Sequence, residues 1–77
     1  MACKQGDVMD FQLGLYQHFK GGHYRVLMVA SDSETKLPMV VYEGITGGFW
    51  VRSLFSFTEE VVWPDGVTRL RFMRVEG

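Results

Sequence analysis

The chain has 77 residues, of which 47% are hydrophobic and 14% aromatic, and eight basic residues oppose nine acidic ones for a formal net charge of −1. A chain of this length forms one small domain that buries only about 60% of its unfolded surface. The charge balance lacks the basic excess typical of nucleic-acid-binding domains, and a single cysteine excludes an intramolecular disulfide. The apolar content exceeds what so small a core can hold, which favours a homo-oligomer, most simply a dimer.

The N-terminal sequence MACKQGDVMD contains no apolar run of signal-peptide length. No stretch of the chain reaches the ~18 apolar residues of a membrane span. We therefore expect a soluble, cytoplasmic protein with no membrane partner. Residues 1–13 are expected to form a tail or one short helical turn, and residues 14–77 a single domain.

β-Branched and aromatic residues predict strands along most of that domain. In chain order the predicted strands cover residues 23–30, 37–43, 49–52, 59–63 and 67–75. Turn-forming residues separate them in the stretches SDSETK, GITGG and WPDGV. Both faces of the first predicted strand, HYRVLMVA, are largely apolar, so its alternation does not decide which face is inside.

The segment SLFSF interrupts the strand pattern and predicts a single 3₁₀ turn that directs Leu54 and Phe57 inward. Strands joined by short turns, with no long helix, predict an all-β fold. The expected architecture is a small SH3-like β-barrel of about five strands, with the 3₁₀ turn before the penultimate strand. An OB-like barrel is the alternative, although it usually has a helix between its later strands.

Polar residues of the types used in binding and catalysis lie on both sides of the Gly21-Gly22 turn. On an extended segment, Tyr16, His18 and Lys20 share one face, where a histidine can bind an anion or act in acid–base chemistry. The simpler interpretation is solvated strand residues beside core tyrosines. Only two histidines and one remote cysteine are present, so we expect no metal site and no cofactor. No nucleophile lies in a catalytic motif, so no catalytic residue is assigned and an enzyme is disfavoured.

Aromatic and basic residues in the later strands allow another interpretation, a stacking platform for single-stranded nucleic acid. Its members would be Tyr42, Trp50, Trp63, Arg52, Arg69 and Arg71. On the strand at 49–52, Trp50 lies on the face opposite Phe49 and Val51. If Phe49 and Val51 fill the barrel, Trp50 is exposed and marks an interface.

From residue 14 onward the chain resembles a small bacterial family, domain-of-unknown-function family 1653. The family pattern runs G-x-Y-x-H-[FY]-K-G-x-x-Y-x-V-L, then A-x-H-S-E-T, V-V-Y and W-V-R-P, followed shortly by Phe. The matching residues are Gly14, Tyr16, His18, Phe19, Lys20, Gly21, Tyr24, Val26, Leu27, Ala30, Ser33, Glu34, Thr35, Val40, Val41, Tyr42, Trp50, Val51, Arg52 and Phe57. The resemblance covers about four fifths of the chain and implies a shared patch without naming a ligand.

Three departures from that pattern concern the expected patch. Asp32 stands where the family usually has His, Ser53 stands where it usually has Pro, and the loop near Gly47-Gly48 is altered. Histidine-dependent chemistry at position 32 is therefore not expected in this chain.

Pattern and resemblance together give a candidate ligand-binding set. It comprises His18, Lys20, Tyr24, Ser33, Glu34, Thr35, Tyr42, Trp50 and Arg52. Because Lys20 and Ser33 flank opposite ends of the long strand at 23–30, one compact site needs a curled sheet or a second subunit. The leading hypothesis is a self-associating, non-enzymatic binding module for a protein or small-molecule ligand. The alternatives are a single-stranded nucleic-acid-binding barrel and an enzyme acting on a small anionic metabolite between subunits.

Overall fold

A computed structural model describes residues 11–76, and nearly all of its regular structure is β-strand. In chain order the elements are β1 Gly14–His18, β2 His23–Ser31, β3 Pro38–Gly44, β4 Phe49–Ser53, the helical turn α1 Leu54–Phe57, β5 Glu60–Val62, β6 Thr68–Leu70 and β7 Phe72–Glu76. The all-β class predicted from the sequence is confirmed. No helix within residues 11–76 is long and apolar enough to cross a membrane.

Five of the strands form one antiparallel sheet in the order β4-β3-β2-β1-β7, and β5 and β6 form a separate two-stranded sheet. In the part of the chain that the structure describes, the large sheet ends at β4 and β7, which do not pair with each other. The sheet is therefore open, where the sequence led us to expect a closed or nearly closed barrel.

The segment 67–75, predicted as one strand, is divided at Arg71. The Arg71 backbone N–H donates to the Glu59 carbonyl at 2.7 Å, and its carbonyl accepts from the Phe19 N–H at 3.0 Å. Because of these bonds, the segment before Arg71 pairs with β5 and forms β6, whereas the segment after it pairs with β1 and forms β7. Three strands therefore follow α1. The alternation also changes there, because Phe72 is buried while Leu70 is exposed.

A β-bulge at Leu27 decides which face of β2 is inside. Val26 pairs with Tyr42 and Met28 with Val41, which leaves Leu27 without a partner. Before the bulge the buried residue is Val26, whereas Met28 beyond it is exposed. An extra residue moves the following side chains to the other face. Neither face of HYRVLMVA is therefore internal along its whole length.

Aromatic rings dominate the core on the inner face of the sheet. The buried residues are Tyr16, Val26, Val40, Tyr42, Phe57 and Phe72. Phe57 and Phe72 stack with ring centroids 4.0 Å apart, which joins α1 to β7. Phe11 also packs on this core, with its ring 5.7 Å from that of Tyr16. The core thus includes a residue before the predicted boundary at 14. Residues 11–13 are neither helix nor strand, and residues 1–10 of the expected tail or helical turn lie outside those described.

The predicted single turn after β4 is present as one turn of α-helix. The Thr58 N–H donates to the Leu54 carbonyl, four residues back, and the Ser53 hydroxyl accepts from the Ser56 N–H, each at 3.0 Å. Phe57 points into the core and Leu54 packs against it, as the sequence predicts. Ser53 caps the turn with a φ of −59°, which is also the angle a proline at this position would adopt.

Candidate functional site

The pairing of β3 with β4 places Trp50 and Arg52 on the inner face of the sheet. Trp50 lies opposite Tyr42, and Arg52 lies opposite Val40, and both of those partners are buried. Directly opposed residues of an antiparallel pair share a face. Trp50 is nonetheless 55% exposed, because β4 is the edge strand. Its neighbours Phe49 and Val51 point to the outer face, so they do not fill the interior.

A cavity of about 210 Å³ opens on this inner face, and we call it the aromatic pocket. It is lined by His18, Tyr24, Tyr42, Trp50, Arg52 and Phe72. Every strand of the large sheet supplies at least one of these side chains. Side chains held by packed strands keep their geometry better than side chains on loops. The pocket is therefore a preorganised feature of the fold.

Arg52 is the charged group of the pocket. Its Nη1 donates to the Ser56 hydroxyl at 3.0 Å, and its Nε lies 3.5 Å from the Tyr42 hydroxyl. The guanidinium carbon lies 5.9 Å from the centre of the Phe72 ring. A guanidinium carries five N–H donors in a planar fork, so donors remain for a ligand.

His18 contributes a neutral ring to the same pocket. Its Nδ1 accepts a hydrogen bond from the Lys20 backbone N–H at 3.1 Å, so the proton of the neutral imidazole lies on Nε2. Burial lowers the pKa of His18 below its usual 6.5, and the positive charges of Arg52, Arg71 and Lys20 lower it further. His18 is therefore a hydrogen-bond donor without charge at pH 7.

Within residues 11–76, no acid forms a salt bridge with Arg52, the charged group of the pocket. Among residues 11–76 the salt bridges are Arg69 with Asp65 and Arg71 with Glu59, and neither includes Arg52. Glu43, the acid nearest to Arg52 along β3, pairs with Phe49 and therefore faces the outer side. A cation beside aromatic rings, with hydroxyl and imidazole neighbours, suits a carboxylate or phosphate attached to a flat ring.

The structure brings five of the nine predicted site residues together in the aromatic pocket: His18, Tyr24, Tyr42, Trp50 and Arg52. Lys20 is exposed and reaches the pocket only through its backbone bond to His18. Ser33, Glu34 and Thr35 follow the far end of β2. A strand rises about 3.3 Å per residue, so the two ends of β2 lie roughly 26 Å apart. Within one chain, these residues do not form a single compact site.

The loop between β2 and β3 has a structural role of its own. Asp32 Oδ1 accepts from the backbone N–H groups of Glu34 at 2.7 Å and Thr35 at 3.0 Å. These bonds lower the pKa of the Asp32 carboxyl. Lys36 takes a φ of +66° to complete the reversal, and its N–H donates to the Asp32 carbonyl. The aspartate that replaces the expected histidine thus orders the turn.

The proposed platform for nucleic acid is divided between two regions. Trp63 donates its indole N–H to the Leu70 carbonyl at 2.8 Å and carries the guanidinium of Arg69 over its ring. Arg69 and Arg71 are both engaged with carboxylates. Trp50 and Arg52 are left as the accessible aromatic and cationic pair.

Sequence reasoning did not assign two residues to the site. Phe72 forms part of the pocket wall, and its inward orientation follows from the alternation of β7. Ser56 binds Arg52 from α1, and no sequence signal indicates that contact. Gly44 completes the surroundings, because a Cβ there would lie 2.8 Å from the Gly47 carbonyl oxygen in the turn beside Trp50.

Two other hollows share part of their walls with the aromatic pocket. One of about 190 Å³ adjoins the aromatic pocket and shares Tyr24 and Trp50 with it. Another, of about 330 Å³, is mainly apolar, shares only Phe72, and reaches Phe11, the first described residue. Within residues 11–76, no group of three or more His, Cys, Asp or Glu is arranged to hold a metal ion.

Comparison with known proteins assigns the family. The family model "Protein of unknown function (DUF1653)" matches residues 14–74. The chain belongs to the DUF1653 family. A crystal structure of a DUF1653 protein from Bordetella bronchiseptica is similar, with a TM-score of 0.79 and 33% sequence identity over 88% of this chain and 91% of that one. No curated protein matches the chain. The resemblance inferred from the sequence motifs is thus confirmed, and the family description names no activity.

Proposed function

We propose that this DUF1653 chain is a non-enzymatic binding module whose aromatic pocket takes a carboxylate or phosphate attached to a flat, apolar body. The observation that carries the proposal is Arg52, a cation without a carboxylate partner in the described part of the chain. Guanidinium groups bind such anions through paired N–H donors. Trp50, exposed at the rim, supplies a surface on which a ring can stack.

The remaining lining residues support the same ligand chemistry. His18 adds a neutral donor, and the Tyr24 and Tyr42 rings form an edge-to-face pair with centroids 5.4 Å apart. The pocket volume suits one ring with its acidic group rather than a large cofactor. We interpret the open sheet with its single helical turn as an incomplete SH3-like barrel, and we expect this module to work in the bacterial cytoplasm.

Extended nucleic acid is less favoured than a single anionic group. A strand of nucleic acid needs a row of cations along its phosphates. Arg69 and Arg71 are held by Asp65 and Glu59 instead. Binding of an oligonucleotide in preference to a small aromatic acid would therefore contradict the proposal.

The test uses benzoate as a probe and neutral benzamide as its uncharged counterpart. Heteronuclear NMR follows the two indole N–H signals, of which Trp50 lies in the pocket and Trp63 is bonded to Leu70. We expect benzoate to shift the Trp50 signal with a Kd of about 1 mM, as its small size allows. Benzamide is expected to shift it little, and the Trp63 signal is expected to stay in place.

The matched variants are Arg52→Gln and Arg69→Gln, which remove one positive charge each. Arg52→Gln should abolish the benzoate response, whereas Arg69→Gln, on the separate hairpin, should leave it intact. Equal binding of benzoate and benzamide, or an unchanged response in Arg52→Gln, would overturn the proposal.

A further inference from the structure

The outer side of β4 differs from an ordinary edge strand. Exposed strand edges are normally protected by charges, proline or bulges, because their free backbone groups can pair with another chain. Within β4 the register with β3 is regular, and its outward side chains are Phe49, Val51 and Ser53. Phe49 is 69% exposed and Val51 60%. No charge or proline lies among these outward side chains, and the one charge of β4, Arg52, lies on the inner face.

The hydrogen-bond pattern shows which backbone groups of β4 are free. The Gly44 N–H donates to the Gly48 carbonyl at 2.9 Å, so this pair at the start of the hairpin is hydrogen-bonded. Bonded and non-bonded pairs alternate along an antiparallel ladder. Trp50 and Arg52 therefore bond inward to β3. Phe49 and Val51 direct their N–H and C=O groups away from the sheet, and Ser53 directs its N–H there, whereas its C=O, at the N-cap of α1, accepts the first hydrogen bond of the helical turn.

We propose that a second copy of this chain pairs antiparallel with β4, about a two-fold axis at Val51. In this register Val51 lies opposite its own counterpart, and Phe49 lies opposite Ser53. Val51 and its counterpart then exchange two backbone hydrogen bonds, and the Ser53 N–H of each copy donates to the Phe49 carbonyl of the other. A two-fold axis at Trp50 would leave the Ser53 N–H without a partner in β4 of the other copy, and one at Arg52 would leave the Phe49 groups without one, so the Val51 register satisfies the outward N–H and C=O groups best.

Side chains are complementary in the same register. Trp50 of one copy lies opposite Arg52 of the other on the inner face, twice by symmetry. Opposed side chains are closest in the non-hydrogen-bonded pairs of an antiparallel ladder, and a guanidinium beside an indole ring is attractive. On the outer face, Val51 extends an apolar row through Val41 and Met28 across three strands. Two such rows would meet at the axis.

The size of the contact sets the expected affinity. The exposed parts of the edge side chains and the strand backbone amount to on the order of 1,000 Å² over two copies, since aromatic residues carry roughly 200 Å² each. That is at the lower limit for specific interfaces. We therefore expect a weak dimer whose population rises with concentration between about 10 µM and 1 mM.

Sedimentation equilibrium over that concentration range tests the dimer. Val51→Lys places two like charges opposite each other at the axis and is expected to weaken dimerisation at least tenfold. The matched control is Val62→Lys, on the separate hairpin sheet, where the exposure of 62% is similar; it should dimerise as the wild type does. Ser53→Pro removes one outward N–H at a compatible φ and should also weaken the dimer, with circular dichroism confirming the fold.

Amide hydrogen exchange tests the register itself. At high concentration the Val51 and Ser53 amides should become protected, whereas those of Trp50 and Arg52 should be protected at every concentration. A chain that stays monomeric up to about 1 mM, or equal effects of Val51→Lys and Val62→Lys, would overturn the inference. Val51 lies outside the aromatic pocket, so benzoate binding by monomeric Val51→Lys would leave the proposed function standing independently.

Discussion

Two tryptophan–arginine pairs in this molecule have different environments. On the small hairpin sheet, Arg69 lies 5.4 Å from the Trp63 ring centre and forms a two-point salt bridge with Asp65, at 2.6 and 3.2 Å. On β4, Trp50 and Arg52 have no carboxylate partner in the described part of the chain. The hairpin pair satisfies its own charge, whereas the β4 pair leaves charge and ring surface available.

The difference arises from the local sequence around each arginine. Asp65 belongs to the WPDGV turn and precedes Arg69 by four residues, so the hairpin itself brings acid and base together. Arg52 follows β3, where the nearby Glu43 is directed to the other face of the sheet. Composition alone therefore does not identify a binding arginine. A binding arginine is identified by whether the nearest carboxylate lies on the same face of the sheet.

The largest expected effect is on the free energy of unfolding, when one aromatic side chain at each pair is truncated. Phe72, 2% exposed, forms both the pocket wall and the core, stacked on Phe57. Phe72→Ala should lower the free energy of unfolding by about 3–5 kcal/mol, measured by urea denaturation. Trp63→Ala, on the half-buried hairpin, should cost at most about half as much. If the alanine variant does not fold, Phe72→Leu should cost about 1–2 kcal/mol; equal costs for Phe72 and Trp63 variants would contradict the comparison.

A second prediction concerns a variant in which Arg52, like Arg69 on the hairpin, has a carboxylate partner. Ser56 Oγ lies 3.0 Å from Arg52 Nη1, so Ser56→Asp should place a carboxylate on the guanidinium. We expect the Kd for benzoate to rise at least tenfold, or about 1.4 kcal/mol, in the NMR titration. Ser33→Asp adds the same charge at the far loop and is the control. Undiminished benzoate binding in Ser56→Asp would mean that Arg52 is not the anion-binding group.

The third prediction concerns the pH dependence of folding stability, which the positive charges around His18 affect. The pKa of His18 is lowered in the folded chain, by burial first and then by the surrounding cations. The unfolded chain therefore takes up this proton at higher pH than the folded one. The stability due to neutral His18 is complete above about pH 6.5 and decreases as the pH falls below that value towards the lower folded pKa.

Thermal melting at about pH 7.5 and pH 5.5 measures this loss, which we expect to be a few degrees. His18→Asn keeps an acceptor near the Lys20 N–H but does not titrate, so its melting temperature should depend less on pH. Saturating benzoate should raise the pKa of His18, because the anion offsets the charge of Arg52. An identical pH dependence in wild type and His18→Asn would argue against the charged surroundings described for His18.

Local sequence patterns were sufficient to place most strands. The predicted strands at 23–30 and 49–52 each end one residue short of β2 and β4, because alternation and turn residues are local signals. The break at Arg71 was not predictable in this way, since it depends on hydrogen bonds to Glu59 and Phe19, distant in sequence. The bulge at Leu27 is similar, because either face of that strand is apolar enough to be buried.

The candidate site was partly predictable for the same reason. Tyr42, Trp50 and Arg52 follow from strand alternation and the family motif, and the turn after β1 brings His18 near Tyr24, with ring centroids 6.3 Å apart. Residues 33–35 were grouped with these residues because they match the family motif. A match to a motif does not show how close residues are in the folded chain. From the sequence, Arg52, Arg69 and Arg71 were equally good candidates for a binding residue. Only the folded structure shows that Arg69 and Arg71 are paired with acids.

The smallest expected effect tests that pairing on the hairpin. Asp65→Asn removes the charge that Arg69 contacts but keeps an amide oxygen beside it. Exposed ion pairs contribute little to stability, so the melting temperature should fall by a few degrees at most. The informative measurement is binding, because Arg69 would then lack its carboxylate while remaining over the Trp63 ring. If benzoate now shifts the Trp63 indole signal, the missing acid alone distinguishes the two pairs; if it does not, the walls supplied by His18, Tyr24 and Phe72 are also required to form a site.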